Sequence, residues 1–179
     1  MDKPDDKELV EQSRKGDRRA FEALLVRYEK PVFNAAYRML HSREDARDVT
    51  QSVFLKVYEN LDRYDPSFRF FSWVYRIAMN ESINLLSKLN RLETLETEPE
   101  DDRDGPEKQT GNRQLNEQLQ SALMAIKTEY RTVIILKHFL ECSYDEISEI
   151  LEIPEKTVKS RLYTGRQLLK DELTRSGVD

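Results

Sequence analysis

Cysteine is all but missing from this chain of 179 residues. Cys142 stands alone, which excludes an internal disulfide framework. Glycine is scarce too. Five glycines over the whole length suit helices better than sheets joined by tight turns. No apolar run approaches the roughly 20 residues that a bilayer span requires, and the opening MDKPDDK lacks the apolar core of a secretion signal. A cytoplasmic, all-α protein is the expectation. Net basic charge is absent as well, since 29 Lys and Arg face 34 Asp and Glu for a net charge of −5. That balance excludes a protein that coats nucleic acid indiscriminately. Histidine supplies only His41 and His138, far apart in sequence. His138 and Cys142, four residues apart, offer two of the four ligands a structural zinc wants. No metal and no cofactor are therefore expected, and no set of residues assembles a catalytic centre.

What is present is clearest in the last forty residues. Residues 143–151 (SYDEISEIL) read as a short helix, with Ser143 as N-cap and Glu146 completing a capping box. Residues 152–154 (EIP) read as a turn, and 155–170 as a second helix. In that helix Val158, Leu162 and Leu169 fall on one stripe, and Lys156, Lys159, Ser160, Tyr163, Arg166 and Lys170 share the face left exposed. Helix, three-residue turn and basic amphipathic helix form a helix-turn-helix, whose second helix enters the major groove. Net charge is thus segregated. Helix 155–170 carries five basic residues against Glu155 alone, and local charge is what meets phosphates. Glu152 stands in the turn where glycine with positive φ is usual, which predicts slight strain.

Residues 6–91 hold a second helical block. Phe21, Leu24, Leu25 and Tyr28, then Val32, Phe33, Ala36 and Leu40, keep the spacing of a core-facing stripe. The pattern predicts a helix over 43–61 that buries Ala46, Val49, Val53, Phe54, Val57 and Leu61. It predicts another over 70–89, with Trp73, Ile77 and Ala78 inward. Between these two, Pro66 and its Asp and Ser neighbours break the periodicity. Residues 92–112 differ in character: five Glu and three Asp crowd 93–107, with Pro99, Gly105, Pro106 and Gly111. Such a stretch cannot bury enough surface to offset its chain entropy and reads as a flexible acidic linker. Periodicity resumes at Leu115, Leu119, Leu123 and Ile126, and a helix follows over 130–140. Two small helical domains, 6–91 and 113–175, joined by a tether, are the expected architecture.

Four segments then acquire a shared meaning. AFEALLVRY (20–28), DARDVTQSVFL (45–55), FSWVYRIA (71–78) and SYDEI (143–147) through TVKSRL (157–162) stand in the order found in bacterial extracytoplasmic-function (ECF) sigma factors of the sigma-70 family. The chain resembles that family over roughly 8–91 and 113–173. The resemblance implies sigma domain 2 in the first block and sigma domain 4 in the second. It implies a transcription initiation factor with no catalytic centre, which binds core RNA polymerase, directs it to promoter DNA at −10 and −35 elements, and helps open it. A monomer when free and control by an anti-sigma factor also follow from it.

The resemblance also distributes roles. In the family the helix matching 43–61 grips the polymerase's largest subunit through acidic and amide groups, which assigns core binding to Asp45, Asp48, Gln51 and Ser52. The chain departs from the usual pattern where Arg47 and Ser52 replace glutamates. Rim charges tune association, and a Ser/Thr kinase acting on Thr50 or Ser52 would restore about −1.5 to −2 of charge. Six aromatics crowd 64–75. Core packing accounts for Phe71 and Trp73, whereas Tyr64 and Phe68 are candidates to stack on unpaired −10 bases, each worth roughly 1–3 kcal/mol. Ser67, Phe68 and Asn80 are the candidates for a flipped-base pocket. Asn80, Asn84, Lys88 and Arg91 form a polar stripe suited to bases and phosphates of the −10 element. For the −35 element the candidates are Lys156, Lys159, Ser160, Arg161, Tyr163 and Arg166, with the division between base and backbone contacts open. A stand-alone helix-turn-helix regulator and a protein-binding helical module are the alternatives, distinguished by whether promoter binding needs polymerase.

Overall fold

The computed structural model describes residues 5–93 and 112–177, which form eight α-helices, one 3₁₀ turn and no strand. Helices α1 (Asp6–Arg14), α2 (Arg18–Leu40), α3 (Arg43–Asn60) and α4 (Phe70–Glu93) make the first unit. Helices α5 (Asn112–Ala125), α6 (Thr128–His138), α7 (Tyr144–Leu151) and α8 (Glu155–Arg175) make the second. Of the expected linker 92–112, Leu92 and Glu93 belong to α4 and Asn112 opens α5, while 94–111 lie outside the described residues.

Local chemistry starts these helices. Asp17 accepts the Arg19 amide ahead of α2, and Ser42 accepts the Asp45 amide ahead of α3. Ser143 and Glu146 form the reciprocal capping box of α7, satisfying two amides that a helix start leaves open. Helix α2 runs unbroken through Pro31. An interior proline costs about 3 kcal/mol, yet Leu24, Val32, Ala36 and Met39 are almost fully buried along one stripe. Burying each larger side chain returns about 1.5–3 kcal/mol, so packing wins.

The first unit centres on Val32, Ala36, Met39, Ala46, Val53, Val74, Ala78 and Met79, all without exposed surface. Ala78 is inward as its spacing requires, whereas Trp73 and Ile77 are only half-buried. Helix α1 was not signalled by periodicity, because Leu9 and Val10 are its only core residues. The second unit closes around Leu123, Val133, Ile134, Ile135, Leu136, Ile147, Ile150, Val158 and Leu162.

The units pack on each other. Helix α4 meets α7, and α2 meets α5 and α6. Arg131 of α6 donates from Nη1 to the Met39 carbonyl at the end of α2 (2.7 Å). Gln120 of α5 donates to the Arg38 carbonyl (3.1 Å), and Arg38 donates to Asn116 (2.7 Å) and Gln120 (3.1 Å).

Candidate nucleic-acid interfaces

On α8 the buried line is Val158, Leu162 and Gly165. Opposite it Lys156, Lys159, Tyr163, Arg166 and Lys170 all face solvent, with Ser160 exposed at the edge. Tyr163 keeps 69% of its surface. Neighbouring elements frame the stripe. Arg166 donates from Nε to Nε2 of His138 on α6 (3.2 Å). Burial and then the charges of Arg166 and Lys137 hold the His138 pKa below its ordinary value, favouring the neutral ring that can accept this bond. The ammonium groups of Lys137 and Lys159 lie 4.9 and 5.4 Å from the centroid of the Tyr144 ring. Lys159 also pairs with Glu155 (2.8 Å), whose hydrogen bond raises the lysine's pKa. His138, Lys137 and Tyr144 were not singled out from sequence. Their only signal is position, at the end of α6 and just inside the Ser143 cap.

Arg161 departs from expectation. It lies on the opposite flank of α8, half-buried and paired with Glu129 (3.4 Å). It does not join the exposed stripe, because residues 158 and 161 are three apart and that step turns it toward α6. The turn itself is as expected. Glu152 has φ 54°, its amide donates to the Ser148 carbonyl, and Ser148 Oγ donates to the Ile153 carbonyl (2.6 Å). A left-handed non-glycine residue costs about 1–2 kcal/mol, offset here by those bonds.

The loop before α4 sorts its aromatics. Tyr64 is buried, with ring centroids 5.4 Å from Phe70 and 5.2 Å from Trp73, and its hydroxyl donates to the Phe68 carbonyl. Arg14 lies over its ring. Tyr64 is thus a brace of the loop rather than a free stacking platform, and that expectation is corrected. Phe68 remains, half exposed at 51%. Beside it the Ser67 amide donates to Asp65 Oδ1 (2.9 Å), and hydrogen bonds from Ser67 hold the Asp65 carboxyl below its ordinary pKa. Asn80, Asn84, Lys88 and Arg91 are exposed along α4, with Arg91 Nε donating to the Ser87 carbonyl (3.2 Å). Asn80 alone of the four lines a cleft of about 350 Å³ shared with the second unit.

Helix α3 presents Arg47, Asp48 and Gln51 to solvent, with Asp45 half-buried. Ser52 donates to Glu81 Oε2 on α4 (2.7 Å), and Lys56 binds the other oxygen. Burial raises the Glu81 pKa, but these bonds and the lysine's charge outweigh it and the net direction is down. Thr50 is buried, its hydroxyl donating to the Ala46 carbonyl (2.6 Å). Of the two hydroxyls Thr50's is the more deeply buried, and Ser52 is half-buried. Leu55 and Tyr58 stand 59% and 62% exposed on the same helix. The apolar-in, polar-out reading of α3 did not pick them out.

Residues 24–92 match the Sigma-70 region 2 family and residues 116–169 match Sigma-70, region 4. Over 179 aligned residues the chain is 34% identical to the ECF RNA polymerase sigma factor SigW of Bacillus subtilis, covering 93% of this chain and 96% of that one. The chain belongs to the ECF sigma factors. It is also 32% identical to the ECF RNA polymerase sigma-E factor of Escherichia coli, over 94% of both chains. Among solved structures, CnrH in complex with the cytosolic domain of CnrY superposes with a TM-score of 0.76 at 26% identity, covering 95% of this chain and 97% of CnrH. RpoE of Bartonella quintana, solved with the anti-sigma factor NepR, shares the fold at 22% identity and a TM-score of 0.73, over 86% of this chain and 96% of RpoE. This sigma factor is a transcription initiation factor whose partners are core RNA polymerase and promoter DNA. Region 2 spans α2 through α4, and region 4 spans the helix-turn-helix and the helices that carry it. No helix among the described residues is long and apolar enough to cross a membrane.

Proposed function

We propose that the sigma factor reads duplex −35 DNA through Lys156, Lys159, Ser160, Tyr163 and Arg166 on α8, with Lys137 and Tyr144 contributing backbone contacts. The observation that carries this reading is the uninterrupted exposed stripe opposite Val158, Leu162 and Gly165, four of whose members are cations. Arg161 is left out because it is paired on the other flank. Phe68 and Ser67 contact unpaired −10 bases, with Asn84, Lys88 and Arg91 along the strand; Asn80 joins them when its cleft is open. Asp45, Asp48 and Gln51 grip polymerase, and Leu55 and Tyr58 supply apolar area to the same contact. Ser52 sits at the edge of that contact, tied to Glu81. The sigma factor works in the cytoplasm as a binding factor, and the chemistry of RNA synthesis belongs to the polymerase. A protein partner that covers these faces gates it; the complex of CnrH with CnrY supports that reading.

The test uses the −35 duplex that reconstituted holoenzyme selects from a randomised pool. Arg166→Ala lowers affinity by about 1–3 kcal/mol and relaxes selection at one base pair if it reads a base edge. Lys156→Ala weakens all sequences alike and lowers the salt dependence by about one counterion. Unchanged binding by both variants removes α8 as the −35 reader.

A further inference from the structure

Helix α7 does more than support α8. Three carboxylates at its start, its last turn and its cap reach across to Arg69, just before α4, and Arg76, in the second turn of α4. Arg69 donates from Nη2 to Asp145 (2.9 Å) and from Nη1 to Glu149 (3.2 Å), and its backbone amide donates to the other Glu149 oxygen (3.1 Å). Arg76 donates from Nη1 to Glu152 (2.9 Å) and from Nη2 to the Glu149 carbonyl (2.7 Å), capping the open end of α7. These arginines bracket the proposed −10 reader. Arg69 follows Phe68 directly, and Arg76 lies one turn before Asn80. Asn80 itself opens into the cleft formed with Thr128, Glu129, Ile150, Glu152 and Arg161. The strained Glu152 in the turn thus has an inter-unit partner.

We propose that the free sigma factor locks itself closed through this contact, withholding its −10 surface while leaving its −35 stripe bare. The proposal rests on the −10 reading given above. Carboxylates on Arg69 and Arg76 hold the places that strand phosphates would take, so α7 and a −10 strand compete for the same guanidinium groups. The α8 stripe lies away from the contact, and Lys156, Lys159, Tyr163 and Arg166 stay exposed in the closed form. The carboxylates of Asp145 and Glu152 are largely solvent-facing (67% and 69% exposed), so those two pairs are weak and salt-screened, whereas Glu149 is only 16% exposed and is the firmest part of the lock.

The test is Glu149→Gln with Glu152→Gln in the full chain, which removes two carboxylates and replaces no residue proposed to bind DNA. Dyes at Glu22→Cys and Gln167→Cys report the separation of the units by energy transfer. Cys142 is buried and its thiol is pushed up to about 12 by that burial, so it escapes labelling. The DNA probe is the non-template −10 strand of a promoter chosen by holoenzyme in run-off transcription. The expected result is lower transfer in the variant, tighter strand binding by about tenfold as two of the three ion pairs are lost together, and unchanged −35 duplex affinity. Raising NaCl lowers transfer in the wild type as well. Transfer unchanged in the variant overturns the lock whatever the DNA does. Transfer lowered with equal strand binding by both proteins overturns the withholding. Transfer lowered with no strand binding by either protein overturns the −10 reading, and the withholding with it.

Discussion

His138 shows how one side chain can tune the −35 face without belonging to it. Its neutral Nε2 accepts from Arg166, and the groups facing it, Arg166 from α8 and Lys137 from its own helix, are both cations. Burial first, and then those charges, lower its pKa in the folded chain, so the unfolded chain takes up the proton first. The stabilisation is therefore present above the unfolded value of about 6.5 and is lost as pH falls from there through the lowered folded value. Because His138 is exposed and screened, the effect should stay under about 1 kcal/mol. His138→Gln keeps an acceptor that does not titrate. Urea midpoints of the wild type should drop more between pH 7 and pH 5 than those of the variant, the difference removing the parallel contribution of His41. Equal drops would show that His138 does not hold Arg166. At this scale the sequence was half legible. The stripe of Lys156, Lys159, Tyr163 and Arg166 follows from helical spacing alone. Tyr64 could not be placed that way, since an aromatic residue in a loop looks the same whether it meets a base or Phe70 and Trp73.

Between elements, the close crossing of α8 on α6 depends on Gly165. A Cβ there would lie 3.1 Å from Ile134 Cδ1 and 3.3 Å from Tyr130 Cβ. Glycine inside a helix costs about 1 kcal/mol relative to alanine, and the crossing returns that by packing Ile134 to near-complete burial. Gly165→Val adds an isopropyl group to a filled contact and should destabilise the protein by about 1–3 kcal/mol. Thermal unfolding measures it, and a variant as stable as the wild type would show that α6 and α8 have room to part. The apolar stripe Val158, Leu162 and Leu169 leaves position 165 as its missing step, so the signal was in the sequence, though glycine carries no hydrophobic mark. Helix α2 posed the opposite difficulty. Pro31 splits its pattern by every local rule, and only the burial of Val32, Ala36 and Met39 against α3 and α4 overrides the split.

For the whole molecule, the docking of the two units is what the sequence concealed. Each unit has apolar stripes that read as a core of its own, so those stripes did not announce that the two units share one buried cluster. The contact uses Arg38, Gln120, Arg69, Arg76 and Arg131, polar residues that helical spacing alone does not single out. Among the described residues Arg131 is the most buried arginine, with 5% of its surface exposed, and burial lowers its pKa. Its bonds run to carbonyls at helix ends: Met39 (2.7 Å) near the end of α2, and Met124 (2.9 Å) and Ile126 (3.2 Å) at the end of α5. Helix C-termini carry partial negative charge and unpaired carbonyls, so one guanidinium satisfies both units at once. Arg131→Met keeps the volume and strands those carbonyls. It should cost about 2–4 kcal/mol, the scale of losing several buried hydrogen bonds. Solution X-ray scattering of the full chain separates the two roles. A larger radius of gyration together with lower urea resistance would mean that Arg131 pins the units together. Lower resistance at an unchanged radius would mean that it serves only the α5–α6 connection, and that the docking rests on Arg38, Arg69 and Arg76.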